Sequence, residues 1–402
     1  MRAALPPPTI PQHPDELTAE WVTSALRARG VLENARVTEL RKEILGEGEG
    51  FIGQIVRLHL QLDRPEPGVP ETLIAKLPIG LAQNRALGEM LAVYEREIRF
   101  YEELAGDVPL RTPRCYFSAM DPHPLAGREE RALRIFQKIP TWVLRLVLSL
   151  LLWISGRSKR RYVLLLEDLA PARVGDQIAG CAPLECERIL RELAVAQARL
   201  WNSASFEPLF WLARTNLVPR VSHLMFRRNR HIFIEEFGHR LPASLDRISE
   251  WLDANGMALM DHLASPPLAL MHGDYRLDNL FLGGSVDGAE LAIIDWQGVG
   301  CGRPALDVGY FLATNLSADV AAESEEGLVR GYHEVLQAEG VPDYPFEQCW
   351  RDYQLSKLFL LYRFMMGINL IDLSHERGQI LLDRILERLR ALWPTGNLDA
   401  LL

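Results

Sequence analysis

The sequence predicts an α+β chain. A small lobe at about residues 1–169, a mixed or antiparallel sheet with one crossing helix, precedes a larger, mainly helical lobe at 170–402. Three observations predict it. Val56, Leu58, Leu60 and Leu62 alternate with Arg57, His59 and Gln61, the pattern of a half-buried strand. From Pro171 onward the chain is dominated by helical periodicity, CERILRELAVAQARLW being the strongest case. Between Leu270 and Asp307 two short apolar runs, Leu280–Leu282 and Leu291–Ile294, flank the turn-forming GGSVDG, a hairpin signal within the helical half.

In chain order, Thr18 is a helix N-cap before AEWVTSALRAR, which stops at Gly30. Val37–Leu45 reads as a strand, followed by a glycine-rich turn with Gly46, Gly48 and Gly50 and then the alternating strand. Glycines there would let backbone approach phosphates, although a tight hairpin turn needs the same residues. Leu73–Pro78 is a third strand and carries Lys76. On the next helix, Gly88 to Leu104, Glu97 falls inside the stripe of Met90, Tyr94, Tyr101 and Leu104. A carboxylate on a buried face needs a partner, and Lys76 is the natural one. Pro113–Phe117 and Tyr162–Leu166 are two more strands, the second ending in Glu167-Asp168-Leu169.

About forty residues separate those last strands, and they hold the apolar run Trp142–Ile154. As a helix it would span about 20 Å, too short for a bilayer core. It must therefore be buried against its own lobe, a hydrophobic substrate, a second copy or a membrane surface. Arg157, Lys159, Arg160 and Arg161 beside it keep peripheral membrane contact through 142–161 open. In the larger lobe, Arg227, Arg228, Arg230 and His231 read as a solvated loop, with contact to an anionic substrate group as the sharper alternative. Ser317 to Leu392 holds three helices.

Composition bounds the function. With 48% apolar and 24% charged residues the chain is ordinary for a soluble globular protein. A net charge of −9 argues against non-specific nucleic-acid binding. It leaves nucleotide binding open, because a lysine and a metal supply positive charge locally. The five cysteines include no C-x-x-C, and Cys181 and Cys186 read as reduced thiols of a cytoplasmic protein. MRAALPPPTIPQHPDEL has no apolar h-region, and no stretch reaches the roughly 18 apolar residues of a spanning helix.

Chemistry concentrates at the hairpin. His272, Asp274 and Asn279 precede its first strand and Asp295 ends its second. Asp274 and Asn279 have the spacing of a phosphoryl-transfer loop, where a carboxylate orients the hydroxyl and oxygens hold magnesium against phosphates. Taken singly, Asp274 and Asn279 would be turn residues and Asp295 a strand end; four fitting groups around one hairpin favour the chemical reading.

HGDYRLDN followed by IIDWQGVGCGRPALD resembles the Brenner-motif region of the aminoglycoside phosphotransferase and choline kinase superfamily, nearest its bacterial ecdysteroid-kinase-like members. LGEGEGF, YEREIRFYEEL, PRCYF, LLLEDL and GDQIAGC resemble the same subgroup in the same order, from about Leu17 to about Leu316. The resemblance implies a protein-kinase-like two-lobed fold that binds ATP and Mg²⁺. Adenine would meet backbone near Glu167 and Leu169, and phosphates would meet the Gly46–Gly50 loop and Lys76, held by Glu97. Mg²⁺ would sit on Asn279 and Asp295, with Asp274 as base or orienter; Asp307 would hold the loop backbone and His272 support it. The reaction implied is γ-phosphoryl transfer to a hydroxyl of a small, partly hydrophobic molecule such as a steroid-like alcohol. A hydroxyacyl thioester is also implied, because HGDYRLDN resembles kinase domains fused to some acyl-CoA dehydrogenases. A nucleotide-binding pseudoenzyme and an AMP transferase acting on protein are the alternatives. The forty-residue insert departs from the family pattern, and oligomeric state is left open.

Overall fold

The computed structural model describes residues 8–45, 53–79, 91–123, 157–283, 291–368, 375–394 and 396–402, with scattered residues in 85–89 and 128–150. Gly46, Gly48 and Gly50 and most of Trp142–Ile154 lie outside the described residues. The chain divides into two compact units, Met1–Gly106 with Thr112–Pro171, and Asp107–Arg111 with Ala172–Leu402.

The first unit is a sheet with helices. Helix α1 (Ala19–Ala28) opens on Thr18, whose hydroxyl accepts the Trp21 N–H at 3.1 Å. Strands β1 (Val37–Leu45), β2 (Gly53–Leu62) and β3 (Thr72–Pro78) follow, then α2 (Val93–Arg99), β4 (Cys115–Met120) and β5 (Tyr162–Glu167). All five strands pair antiparallel in the order β1-β2-β3-β5-β4, so the mixed alternative is removed. Trp21, Val22 and Leu26 of α1 pack with Val56, Leu58, Leu73, Ala75 and Leu165. Leu73, Ala75 and Leu77 thus share the buried face of β3, and Lys76 projects from the other.

Two expectations change here. The helix expected from Gly88 to Leu104 is not continuous: Gly88 and Glu89 are helical, Leu91 and Ala92 form a turn, and the chain is α-helical again over Val93–Arg99 before a π-helical turn at Phe100–Leu104. Ala92, at φ 52°, sets it off from the residues before it. The basic residues after the insert are also partly committed. Arg160 pairs with Glu95 at 3.0 Å and Glu89 at 3.6 Å, and Arg161 grips Asp121 at 2.9 Å. Those two charges face acids of their own unit, which weakens the membrane reading of 142–161.

The second unit is mainly helical. Its helices are α3 (Pro183–Arg199), α4 (Pro219–Phe237), α5 (Leu245–Leu263), α6 (Ala305–Asn315), α7 (Ala318–Ala338), α8 (Phe346–Gly367) and α9 (Glu376–Ala391). Helix α8 is the core, packing on α4, α5 and α6 through Tyr353, Leu355, Leu358, Leu361, Tyr362 and Met365. Gly309 of α6 permits that approach, since a Cβ there would overlap the Ser356 side chain. Strands β6 (Arg173–Val174), β9 (Leu280–Leu282) and β10 (Leu291–Ile293) form one small sheet. Strands β7 (Ala213–Arg214), β8 (Ala269–Met271) and β11 (Gly300–Gly302) form another.

The cluster Arg227, Arg228, Arg230 and His231 is not a loop. It lies on α4, where Phe226, Asn229 and Phe233 are buried and Asp253 of α5 receives Arg227 at 2.6 Å and Arg230 at 3.7 Å. Apolar residues at helical spacing between the charges decide for helix over loop. Cys181 and Cys186 are not free thiols either. They are bridged, with Cα atoms 6.2 Å apart, Cys186 lying in the first turns of α3 just after Cys181. Cys115, Cys301 and Cys349 remain free. Among the described residues no helix is long and apolar enough to cross a membrane.

Candidate active site

In the first unit the predicted ion pair is formed. Lys76 Nζ lies 2.7 Å from Glu97 Oε1, and the two side chains are 15% and 8% exposed. Setting Lys76 of β3 against Glu97 of α2 makes each charge the other's compensation. At the end of β5, the Glu167 N–H donates to the Arg114 carbonyl at 2.9 Å and its carboxylate accepts the Arg114 N–H at 2.9 Å. The Glu167 amide is therefore taken up within the sheet. Leu169, two residues on, is buried. Between them Asp168 receives Arg57 Nε at 2.7 Å, a pairing sequence reasoning missed.

In the second unit, residues 272–279 connect β8 to β9, and Asp295 follows β10. The Ile294 N–H donates to the Asn279 carbonyl at 3.0 Å, which brings the two strand ends and hence Asn279 and Asp295 to the same place. Asp295 has φ 65°, a left-handed conformation that few non-glycine residues adopt outside functional turns. Gly273 has φ 78°, and a Cβ on it would collide with the Gly298 carbonyl oxygen, so the middle position of His272-Gly273-Asp274 admits only glycine.

The loop backbone is clamped from α6. Asp307, 1% exposed, accepts the His272 N–H at 2.7 Å on one oxygen and the Gly273 N–H at 3.0 Å on the other. Burial pushes its carboxyl up, against the pull of His272 and these two amides. His272 is buried; its Nδ1 accepts the Asp274 N–H at 3.3 Å, so Nε2 donates to the Ile294 carbonyl at 2.8 Å. The imidazole thus ties the loop to the second hairpin strand.

The Asp274 side chain accepts three hydrogen bonds. Its Oδ1 accepts the Tyr310 hydroxyl at 2.6 Å, and its Oδ2 accepts Arg276 Nε at 3.1 Å and Asn279 Nδ2 at 3.1 Å. Burial opposes ionisation, but Arg276, Tyr310, His272 and Arg363 outweigh it and hold the carboxyl down at about 2. Asn279 Nδ2 also donates to the Asp274 carbonyl at 2.9 Å. Its amide nitrogen is thereby committed, which leaves Oδ1 as the group able to face a cation. An amide oxygen beside an aspartate is a donor set that suits magnesium, a cation that binds one or two protein oxygens and fills its shell with phosphate and water.

Several residues of this arrangement had no assigned role in the sequence. Arg276 NH1 also reaches Gln177 Oε1 at 2.9 Å and Asp278 at 3.3 Å, while Asp278 accepts the Gln177 N–H at 2.8 Å. Asn315 Oδ1 accepts the Leu277 N–H at 3.0 Å. The GDQIAGC segment therefore grips the 272–279 loop, and Arg388 of α9 holds that segment through the Gln177 and Ile178 carbonyls. Tyr310 was within reach of sequence reasoning: it lies three residues after Asp307 on one helix, and so on the same face. Gln177 and Arg388 come from segments about 100 and 110 residues away from the loop, and nothing local marks them.

Residues 91–350 match the phosphotransferase enzyme family. Among solved structures, choline kinase from Cryptosporidium parvum is 9% identical, with 88% of each chain covered and a TM-score of 0.49. The GDP complex of wild-type aminoglycoside 2'-phosphotransferase-IIIa is 14% identical over 87% of this chain and 93% of that one, with a TM-score of 0.48. Amicoumacin kinase in complex with AMP-PNP and Ca²⁺ is 12% identical over 88% of this chain and 89% of that one, with a TM-score of 0.41. A search of curated proteins gives no match.

Proposed function

This chain belongs to the phosphotransferase enzyme family, and on that premise we propose that it transfers the γ-phosphoryl group of ATP to a hydroxyl of a small molecule, as an ecdysteroid-kinase-like member of the superfamily. The observation that carries the reading is the Asp274 carboxylate, oriented by three hydrogen bonds and adjoining Asn279 at 3.1 Å. The acceptor oxygen forms a bond to phosphorus as the bond from phosphorus to the bridging oxygen breaks, and ADP leaves with that electron pair. Asp274 orients the acceptor O–H and receives its proton late. A carboxylate held near 2 is a weak base, which suits a loose transition state that needs positioning more than early deprotonation. Asn279 and Asp295 would hold Mg²⁺, which supplies charge neutralisation at the phosphates. Lys76, fixed by Glu97, would bind phosphate oxygens. The Leu169 amide is the adenine donor of choice, because that of Glu167 is bonded to Arg114.

The test is ATP consumption by purified protein with Mg²⁺, against hydroxylated sterols, hydroxyacyl-CoAs, choline and aminoglycosides, with Asp274→Asn as control. Phosphorylation of one compound, lost in the variant, is the expected result. Label transfer to protein from α- but not γ-labelled ATP would replace the reading with AMP transfer. Absence of both, with nucleotide still bound, would replace it with a pseudoenzyme.

A further inference from the structure

A carboxylate has about four lone-pair positions. On Asp274, Arg276 and Asn279 occupy both positions of Oδ2, and Tyr310 occupies one of Oδ1. One position remains, on Oδ1, beside the Tyr310 hydroxyl. The Tyr310 ring is in turn faced by the Arg363 guanidinium, 5.6 Å from its centroid. Arg363 is exposed, donates to the Gly273 carbonyl at 3.2 Å, and pairs with no carboxylate among the described residues. Its charge therefore stands next to the free seat, acting on the Asp274 and Asp307 carboxyls at a distance but held in no ion pair with an acid among the described residues.

We propose that Tyr310 and Arg363 form the acceptor-side wall of the site: Tyr310 positions Asp274 so that a single hydroxyl fits on Oδ1, and Arg363 selects acceptors that are neutral or anionic around that hydroxyl over polycations. This rests on the phosphotransfer reading above and deepens it by naming the acceptor class. A cationic acceptor would bring an ammonium up to an unpaired guanidinium, where like charges repel; a carboxylate or phosphate would find a donor fork there. Tyr310 acts through Asp274 and is a positioning residue, whereas Arg363 would touch the acceptor.

The experiment uses the full chain with ATP and Mg²⁺ and four probes: kanamycin and choline as cations, a hydroxylated sterol as neutral, and 3-hydroxybutyrate as anion. Tyr310→Phe keeps the ring and removes the donor. It should lower kcat about tenfold with the KM for ATP within about twofold, the scale of one lost hydrogen bond to a charged group. Arg363→Glu should shift the kcat/KM ratio of cationic to anionic probes at least about tenfold toward the cations. If no probe raises ATP hydrolysis above the rate with water, the ratio of their inhibition constants is read in the same way. A parent enzyme that prefers kanamycin or choline, a ratio unmoved by Arg363→Glu, or an unchanged kcat in Tyr310→Phe would overturn the proposal. Asp274→Asn run alongside separates the failures: if it retains full activity, the phosphotransfer reading itself falls.

Discussion

Lys76 and Glu97 meet as two side chains projected from a strand and a helix of one unit, 2.7 Å apart. Asp274 is placed differently: its loop backbone is held by Asp307 and Asn315 of α6, and its side chain by Arg276, Asn279 and Tyr310. The first arrangement depends on two charges finding each other on a buried face. The second depends on donors and acceptors supplied by segments far apart in the chain, so that loop shape and carboxylate orientation are fixed together. A pair of the first kind is separable into stability and function; a clamp of the second kind is not.

The largest expected effect lies in the clamp's centre. Asp274→Asn keeps the side-chain volume and removes the charge, and kcat should fall about 10²- to 10⁴-fold, the range for a positioned acid–base group. Next comes the separability of the pair. Lys76→Met removes the cation 2.7 Å from the buried Glu97 carboxylate and should cost up to about 3–5 kcal/mol of stability, with about a 10²-fold loss of rate. Adding Glu97→Leu should restore much of the thermal midpoint and none of the rate. Recovery of both together would mean that Lys76 serves the fold and not the phosphates.

Asp307→Asn tests the other side of the contrast. An amide retains one acceptor oxygen, so one of the two backbone N–H groups loses its partner, at about 1–3 kcal/mol. For a unit of this size the midpoint should drop by about 2–4 °C per kcal/mol. Here rate and midpoint should fall together. A variant with normal kcat and a lowered midpoint would show that the backbone clamp does not shape the reacting loop.

The same difference explains what the sequence made legible. Strand β1 was readable to its ends at Val37 and Leu45, and the alternation of Val56, Leu58, Leu60 and Leu62 marked β2, because such patterns and the turns between them are local signals. Glu97 stood out because a carboxylate in an apolar helical stripe demands a partner, and Lys76, set inside the apolar strand Leu73–Pro78, was the natural one. The hairpin residues were legible from spacing and residue type. The insertion of β5 between β3 and β4 was not, since pairing partners are chosen by tertiary packing. The α4 arginines were misread because charge density masked a buried stripe of Phe226, Asn229 and Phe233. Gln177 stayed invisible for a different reason: its value lies entirely in what the fold brings to it.

The smallest effect concerns Asp168, which belongs with Lys76 and Glu97 as a side-chain pair within the sheet unit. Its carboxyl, 5% exposed, receives Arg57 Nε at 2.7 Å. Burial pushes its pKa up, but the Arg57 hydrogen bond, the Ala170 N–H and the Arg57 charge outweigh this and set it below the usual value. A depressed carboxylate pKa contributes stability that is fully present above the unfolded value, about 3.9, and is lost as pH falls through the folded one. The difference in thermal midpoint between the parent and Asp168→Asn should therefore be constant above about pH 5 and shrink below about pH 4. A gap that stayed open at low pH would assign Asp168 to packing rather than to ion pairing. Because Arg57 is 25% exposed, the shift should be smaller than that of Lys76→Met, whose partner is nearly enclosed. An equal shift would show that in this sheet burial does not grade the strength of a pair, and the contrast between pair and clamp would then rest on geometry alone.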